Sequence, residues 1–317
     1  MERSISEHTA NQVIADSFID RQKATWKDYL EVTKPGINIH NLLVTFAGFW
    51  LAAGFDTFQH LSLLVYTLLG TTLVIAGSCS LNNFYDRDID PYMTRTRNRA
   101  VAEGRMKPIA ALWFGLILSI VGLSILAVGV NYLAAFFAFI GFFVYVVIYT
   151  MWLKRSSTLN TVVGGISGAV PPLIGWVAYT NSVDLSAWAL FMVLFLWQPP
   201  HFFALAMRKV QEYRQVGVPM LPVVKGFAAT KRQSLVYTIL LLPASLTLFF
   251  TGVTSWLYLV TALVLGIIYI FHAVKGFKAE DDDAWAKRMF LYSLLYLTVL
   301  FFVMIMDVTI IEIVERV

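Results

Sequence analysis

Residues 82–90 read Asn-Asn-Phe-Tyr-Asp-Arg-Asp-Ile-Asp, and the spacing of three of them could do chemistry. On a helix, Asn82, Asp86 and Asp90 stand at i, i+4 and i+8, so their oxygens share one stripe and Asp88 faces away. Pro91 disfavours helical backbone at Asp90, which places the third oxygen at or just past the helix end. Carboxylates at a helix C-terminus oppose the helix dipole and need cations beside them. Hard oxygens suit Mg²⁺, which keeps several waters and bridges carboxylates to phosphates. Arg95, Arg97, Arg99 and Arg105 follow and could hold the far phosphate oxygens. A solvated helix end in which Asp and Arg pair with one another fits the same spacing equally well.

Further polar residues interrupt apolar runs. In Trp197-Gln198-Pro199-Pro200-His201-Phe202, adjacent prolines break a helical hydrogen-bond ladder, which is tolerated in a membrane where the backbone lines a cavity or is buried in protein. Gln198 and His201 are therefore functional candidates, although a hydrogen-bonded histidine at a helix kink is as good a reading of His201. Glu212 is a candidate second cation ligand or an ion-pair partner in a basic loop, and Tyr213 adjoins it. Tyr149-Thr150-Met151-Trp152-Leu153-Lys154-Arg155 precedes Asn160; Lys154 and Arg155 are phosphate clamps or basic membrane anchors. Gly164 and Gly168 permit close helix contact, with Pro171-Pro172 beyond them. His40, His272 and the acidic run 280–283 read as structural or solvated.

The elements that position these residues follow from composition. Hydrophobic residues are 58% of 317 and charged residues 14%, more apolar surface than a soluble fold of this size can hide. The single cysteine excludes a disulfide scaffold. Nine apolar runs are long enough to span a membrane as helices: 37–54, 62–82, 108–129, 131–152, 161–179, 185–207, 233–252, 255–274 and 288–308. They lack the alternation of a transmembrane barrel. The expected fold is an all-α integral membrane protein, nine transmembrane helices in a single bundle. Residues 1–36 form an N-terminal segment, 37–308 the helical domain and 309–317 a tail.

The basic residues set direction. Counted against these runs, 23 of 24 Lys and Arg residues fall on one side, with Arg316 on the other. The positive-inside rule puts the N-terminus and the two long loops after helices 2 and 6, about 83–107 and 208–232, in the cytoplasm, and the C-terminus outside. The net charge of +4 thus reports topology, and no nucleic-acid partner is expected. The first 36 residues lack the apolar core of a secretory signal. They are too acidic for a mitochondrial transit peptide, so a bacterial plasma membrane is expected.

Asn82-x₃-Asp86-x₃-Asp90 with Met93-x-Arg95-Thr96-x₂-Arg99 resembles the first signature of the UbiA-type intramembrane prenyltransferases. Three further strings resemble the branch of that family that farnesylates protohaem IX to haem O. They are Tyr149-Thr150-x₂-Leu153-Lys154-Arg155-x₄-Asn160, Gly164-x₃-Gly168-Ala169-x-Pro171-Pro172-Leu173-x-Gly175-Trp176, and Trp197-Gln198-x-Pro200-His201-Phe202-x₂-Leu205-Ala206 with Tyr213 and Pro219-Met220-Leu221-Pro222 behind it. Together they span residues 34–222. Ala100 departs from a common proline, and the second loop lacks the Asp-x₃-Asp of quinone-type members, which favours the haem-using branch.

The resemblance implies transfer of the farnesyl group of farnesyl diphosphate to a vinyl group of haem b, within a lipid bilayer and with Mg²⁺ as cofactor. It implies Asn82, Asp86, Asp90 and Glu212 at the metal; Arg95, Arg97, Arg99, Lys154 and Arg155 on the diphosphate; and Asn160, Gln198, His201 and Tyr213 at substrate. Asp86, Asp90 and His201 are the expected catalytic residues. His201 could ligate the haem iron, orient the porphyrin or act as a base. A haem A synthase is a candidate downstream partner. Prenyl transfer to a quinone precursor, or transport without chemistry, are the competing expectations.

Overall fold

The computed structural model describes residues 24–316. Residues 1–23, including Arg3, Arg21 and Lys23 of the basic N-terminal segment, lie outside the described residues. Among those described, nine helices are long and apolar enough to cross a membrane, as expected. A short helix α1 (Trp26–Val32) precedes α2 (Pro35–Ala53) and α3 (Leu61–Tyr85). Then come α4 (Pro108–Gly129), α5 (Tyr132–Ser156), α6 (Asn160–Thr180) and α7 (Leu185–Arg208). A second short helix α8 (Val210–Gln215) leads to α9 (Leu221–Phe250), α10 (Trp256–Lys275) and α11 (Asp282–Arg316).

Local chemistry sets several boundaries. Asn131 stops α4 and starts α5, accepting the Ala134 N–H at 2.8 Å, so one polar residue divides two apolar runs. Asp184 caps α7 through Ala187 N–H at 2.9 Å. Two helices extend beyond their expected limits. α9 begins at Leu221 rather than near 233, with a break at Gly226, where φ is +74°. This start is too polar to register as a span, and it shortens the second long connection. α11 begins at Asp282 because Asp281 Oδ1 accepts the N–H groups of Asp283 and Ala284. The acidic run is therefore a helix start, with Asp282 paired to Lys231 and Asp283 to Arg208. At the other end α11 runs on to Arg316, through the residues expected as a tail.

Neighbours in sequence pack as neighbours in space, α3 on α4, α6 on α7 and α9 on α10, while α11 returns to both α7 and α2. α6 and α7 are the most enclosed spans, 67% and 72% buried over their apolar windows. Both remain helical through their proline pairs, Pro171-Pro172 and Pro199-Pro200, and the ladder expected to break at Pro199-Pro200 lies, as expected, where the backbone is buried in protein. Gln198 Nε2 ties α7 to α6, donating to Gly165 O at 2.9 Å and to Leu194 O at 3.2 Å. Gly168 makes room for that amide, since a Cβ there would stand 2.3 Å from Gln198 Oε1. α2 and α6 meet still more closely, for a Cβ on Gly175 would lie 2.0 Å from Thr45 O and one on Gly48 equally near Pro172 O.

Gly175→Ala must separate α2 from α6 and should destabilise the bundle by about 1–3 kcal/mol, as overpacking does. Gly36→Ala, with open space around its Cβ, should not. Thermal unfolding in detergent checks both.

Candidate active site

α3 ends at Tyr85, and two short 3₁₀ turns, Asp86–Asp88 and Asp90–Tyr92, carry the chain into the first long loop. The expected division of the carboxylates holds. Asp86 and Asp90 are buried, 0% and 2% exposed, whereas Asp88 turns outward and takes both Arg155 guanidinium nitrogens at 2.6 and 2.7 Å. Asn82 donates to Asp86 Oδ2 at 2.7 Å and to Thr150 Oγ1 at 3.2 Å. Lys154 Nζ also bonds Asp86 Oδ2, and Arg155 Nη2 lies 3.7 Å from Oδ1. Asp90 Oδ2 accepts from Arg99 Nη1 at 2.7 Å.

The α5 wall owes its shape to a π-helical stretch, Val144–Leu153. Along it Tyr145 and Tyr149 stack, with ring centroids 5.7 Å apart. Thr150 and Lys154 reach Asn82 and Asp86 from this wall. Gly164 is where Tyr149 fits against α6, since a Cβ there would meet the tyrosine ring at 2.8 Å.

Lys34 joins the cluster unforeseen. Its ammonium donates to Asn82 Oδ1 at 2.5 Å. The residue is held in left-handed backbone, φ +53° and ψ +69°, immediately before Pro35. Such a conformation costs a non-glycine residue about 1–3 kcal/mol and persists only where its surroundings impose it. Burial pulls the Lys34 ammonium down to about 8; the Arg99 and Lys154 cations act in the same direction, while Asp86 opposes them. Nothing in the string Thr33-Lys34-Pro35 marks this lysine as part of the site; the signal is conformational.

α1 ties the first loop in place. Arg105 pairs with Asp28, with Glu31 at 2.9 Å and with Glu103 at 2.8 Å, and Glu31 Oε1 accepts the Ala100 N–H. Arg105 is thus a structural tether and not a free phosphate ligand. Arg97 is exposed, in no ion pair among the described residues. Arg95 is exposed too, but near the second loop: burial raises the Tyr213 phenol, and Arg95 and Arg99 pull it back. Ile89 packs with Ala206, Val218 and Met220, with Tyr213 against them, so the two loops meet. Glu212 Oε1 accepts from Lys209 at 2.8 Å, and its buried Oε2 has no hydrogen-bond partner. Asn160 holds the α5–α6 turn, donating to Lys154 O at 3.5 Å and accepting from Thr161. Gln198 bonds backbone, as described above, and His201 lies in an aromatic slot on α7.

The cluster suits a hard divalent cation. Asp86 Oδ1 is buried with no hydrogen-bond partner, and Asn82 and Asp90 offer further oxygens. Among the described residues no three His, Cys, Asp or Glu side chains gather into a cage. That agrees with Mg²⁺, which takes one or two carboxylates and leaves positions for water and phosphate.

Residues 41–295 match the UbiA prenyltransferase family. A protein of Alkalihalophilus pseudofirmus named protoheme IX farnesyltransferase is 50% identical over 292 residues, 91% of this chain and 92% of that one. Protoheme IX farnesyltransferase 2 of Bacillus subtilis is 45% identical over 301 residues, 93% and 97% of the two chains. Among solved structures, digeranylgeranylglyceryl phosphate synthase superposes with a TM-score of 0.77 at 18% identity, covering 89% of this chain and 98% of that one. A UbiA homolog from Archaeoglobus fulgidus bound to GPP and Mg²⁺ gives 0.62 at 17%, covering 87% and 99%. At these identities the two structures speak for the fold.

Lys154→Ala leaves Asp86 buried with only the more distant Arg155 and Lys34 as counter-charges. It should cost up to about 3 kcal/mol, and Lys154→Met with Asp86→Asn should restore most of it. Denaturation midpoints in detergent measure both.

Proposed function

The chain belongs to the UbiA prenyltransferase family, and from this we infer that it transfers the farnesyl group of farnesyl diphosphate to a vinyl group of haem b, water supplying the hydroxyl of the resulting hydroxyethyl group, to give haem O and release diphosphate. The observation that carries the chemistry is the buried Asn82–Asp86–Asp90 stripe, with one bare carboxylate oxygen and four cations around it. The acceptor rests on the relatives of 45–50% identity whose names specify protoheme IX. The absence of a second Asp-x₃-Asp in the 208–232 segment supports haem over a quinone precursor.

Asn82, Asp86 and Asp90 would hold Mg²⁺, which supplies Lewis-acid neutralisation of the departing diphosphate. Lys154, Arg99 and Arg155 now pair with carboxylates, and they are the side chains nearest to the negative charge that builds as the allylic C–O bond breaks. Lys34 belongs with them through Asn82. Arg95 stands at the mouth where the two loops meet, Tyr213 beside it, while Arg97 and Glu212 remain candidates at the periphery. Gln198 and Asn160 act by shaping backbone around the substrate. The enclosing helices keep bulk water from the carbocation until the acceptor reaches it. Haem propionates have the basic loops to pair with.

The chain crosses a membrane many times. We place it in the bacterial plasma membrane with the N-terminus and this site in the cytoplasm, the C-terminus outside, and residues 37–308 as the catalytic domain; the one-sided distribution of basic residues supports that orientation. A haem A synthase acting on the product is the natural downstream partner.

Purified protein given haem b, farnesyl diphosphate and Mg²⁺ should yield a porphyrin heavier by the farnesyl group and one hydroxyl, read by mass spectrometry. Turnover of a quinone precursor instead would replace the acceptor, and transport without diphosphate release would replace the reaction. Asp86→Asn should reduce turnover on the order of a hundredfold or more. Lys34→Met should weaken binding of Mg²⁺–pyrophosphate about tenfold, measured by calorimetry, since one charge-assisted contact carries 1.5–3 kcal/mol, roughly.

A further inference from the structure

His201 lies outside the carboxylate cluster, in the turn of α7 that follows Pro199-Pro200. Its ring is sandwiched between Trp197, with centroids 4.7 Å apart and planes 23° apart, and Phe290, at 4.6 Å and 28°. Phe202 meets it edge-on at 5.0 Å. The sandwich is fastened to α11, because the Trp197 indole N–H donates to Ser293 O at 2.7 Å. Both faces of the imidazole are therefore covered, and only its edge is free to act.

The hydrogen bonds decide which nitrogen does so. His201 Nδ1 is 2.7 Å from Ser293 Oγ. Ser293 Oγ is also 2.6 Å from the Phe290 carbonyl, which can only accept. A serine hydroxyl has one proton. That proton goes to Phe290 O, so at the other contact Nδ1–H must donate to Oγ. In the neutral ring Nε2 then carries the lone pair, since the bond that fixes this side chain runs through Nδ1. The relay ends on a neutral carbonyl, and the ring's neighbours are Trp197, Phe202, Phe290, Ser293 and, across Trp197, His40. There is no carboxylate among them to stabilise an imidazolium, as the aspartate of a Ser-His-Asp triad does. A metal-binding histidine, by contrast, characteristically donates its other N–H to a fixed acceptor.

We propose that Ser293 is a positioning residue that fixes His201 as its Nδ1–H tautomer and so presents Nε2 as an axial ligand to the iron of the porphyrin acceptor. The step forms one coordinate bond from the Nε2 lone pair and moves no proton or electron. It holds the macrocycle by its iron while the vinyl group is offered to the farnesyl cation. The proposal rests on haem as acceptor, and its test separates the two.

In protein labelled with ¹⁵N-histidine, His201 should show a protonated Nδ1 and a bare Nε2; a proton on Nε2 in the wild type overturns the proposal without any variant. Titration with haem b, in the absence of farnesyl diphosphate, should give the visible bands of imidazole-ligated iron. His201→Ala should lose those bands, and free imidazole should restore them to His201→Gly. Ser293→Ala should disturb the tautomer and weaken haem binding about tenfold. Both variants should bind an unreactive farnesyl diphosphate analogue as the wild type does. Wild-type bands in His201→Ala, or an unchanged tautomer and affinity in Ser293→Ala, would overturn the proposal and leave the reaction standing. No haem uptake by the wild type would remove the acceptor itself, and the ligand with it.

Discussion

A carboxylate with no exposed surface, Asp86, has to be neutralised inside a bundle of apolar helices, and much of the protein around it is arranged to do so. An isolated buried charge is penalised by several kcal/mol. Lys154 answers it from α5, Arg155 stands behind, and Asn82 supplies an amide from one turn earlier on the same helix. Lys34 then binds the far side of that amide from the head of α2. Three helices are thereby tied at one point. The price is a site already filled with internal cations, so a metal ion bearing phosphate must compete with groups that hold these oxygens now.

The rest of the bundle keeps that point in place. α2 cannot drift, because its backbone touches α6 wherever Gly48 and Gly175 leave out side chains. α6 and α7 form the enclosed centre, and α7 carries the aromatic slot of His201. Seven residues of helix, roughly 10 Å, separate His201 from the end of α7 at Arg208, where the second loop begins. The charged cluster and the aromatic slot thus differ in character as a hydrophilic donor head and a flat hydrophobic acceptor differ. The first loop is held from outside by α1, whose Asp28 and Glu31 take Arg105.

Much of this was legible in the residues, and what was not has physical causes. The nine spans could be read because hydrocarbon length and apolar composition leave few alternatives for 18-residue windows of such hydropathy. Asn82 and Asp86 could be paired, and Asp88 turned away, because helical periodicity is local. Lys34 could not: it reaches the site through a left-handed backbone that tertiary contacts impose. How far α6 and α7 run through their prolines could not be read, because local chemistry weakens a helix there and only enclosure by neighbours lets it continue. The long start of α9 was missed because a polar helix end leaves no apolar signature. Arg105 read like its neighbours Arg95 and Arg99, and only the placement of α1 distinguishes it.

The π-helical stretch of α5 makes the wall sensitive to arithmetic as well as to chemistry. Val144–Leu153 accommodates its residues on a wider spiral, and Thr150 and Lys154 face Asn82 and Asp86 from it. Were the ordinary spiral restored there with every residue kept, the same ten residues would wind further and everything downstream would rotate. The lysine would then point into a neighbouring helix or the lipid, with its identity and its neighbours in the chain unchanged. At this place the pitch of the backbone is itself part of the recognition surface, and its loss would be as damaging as the loss of the charge.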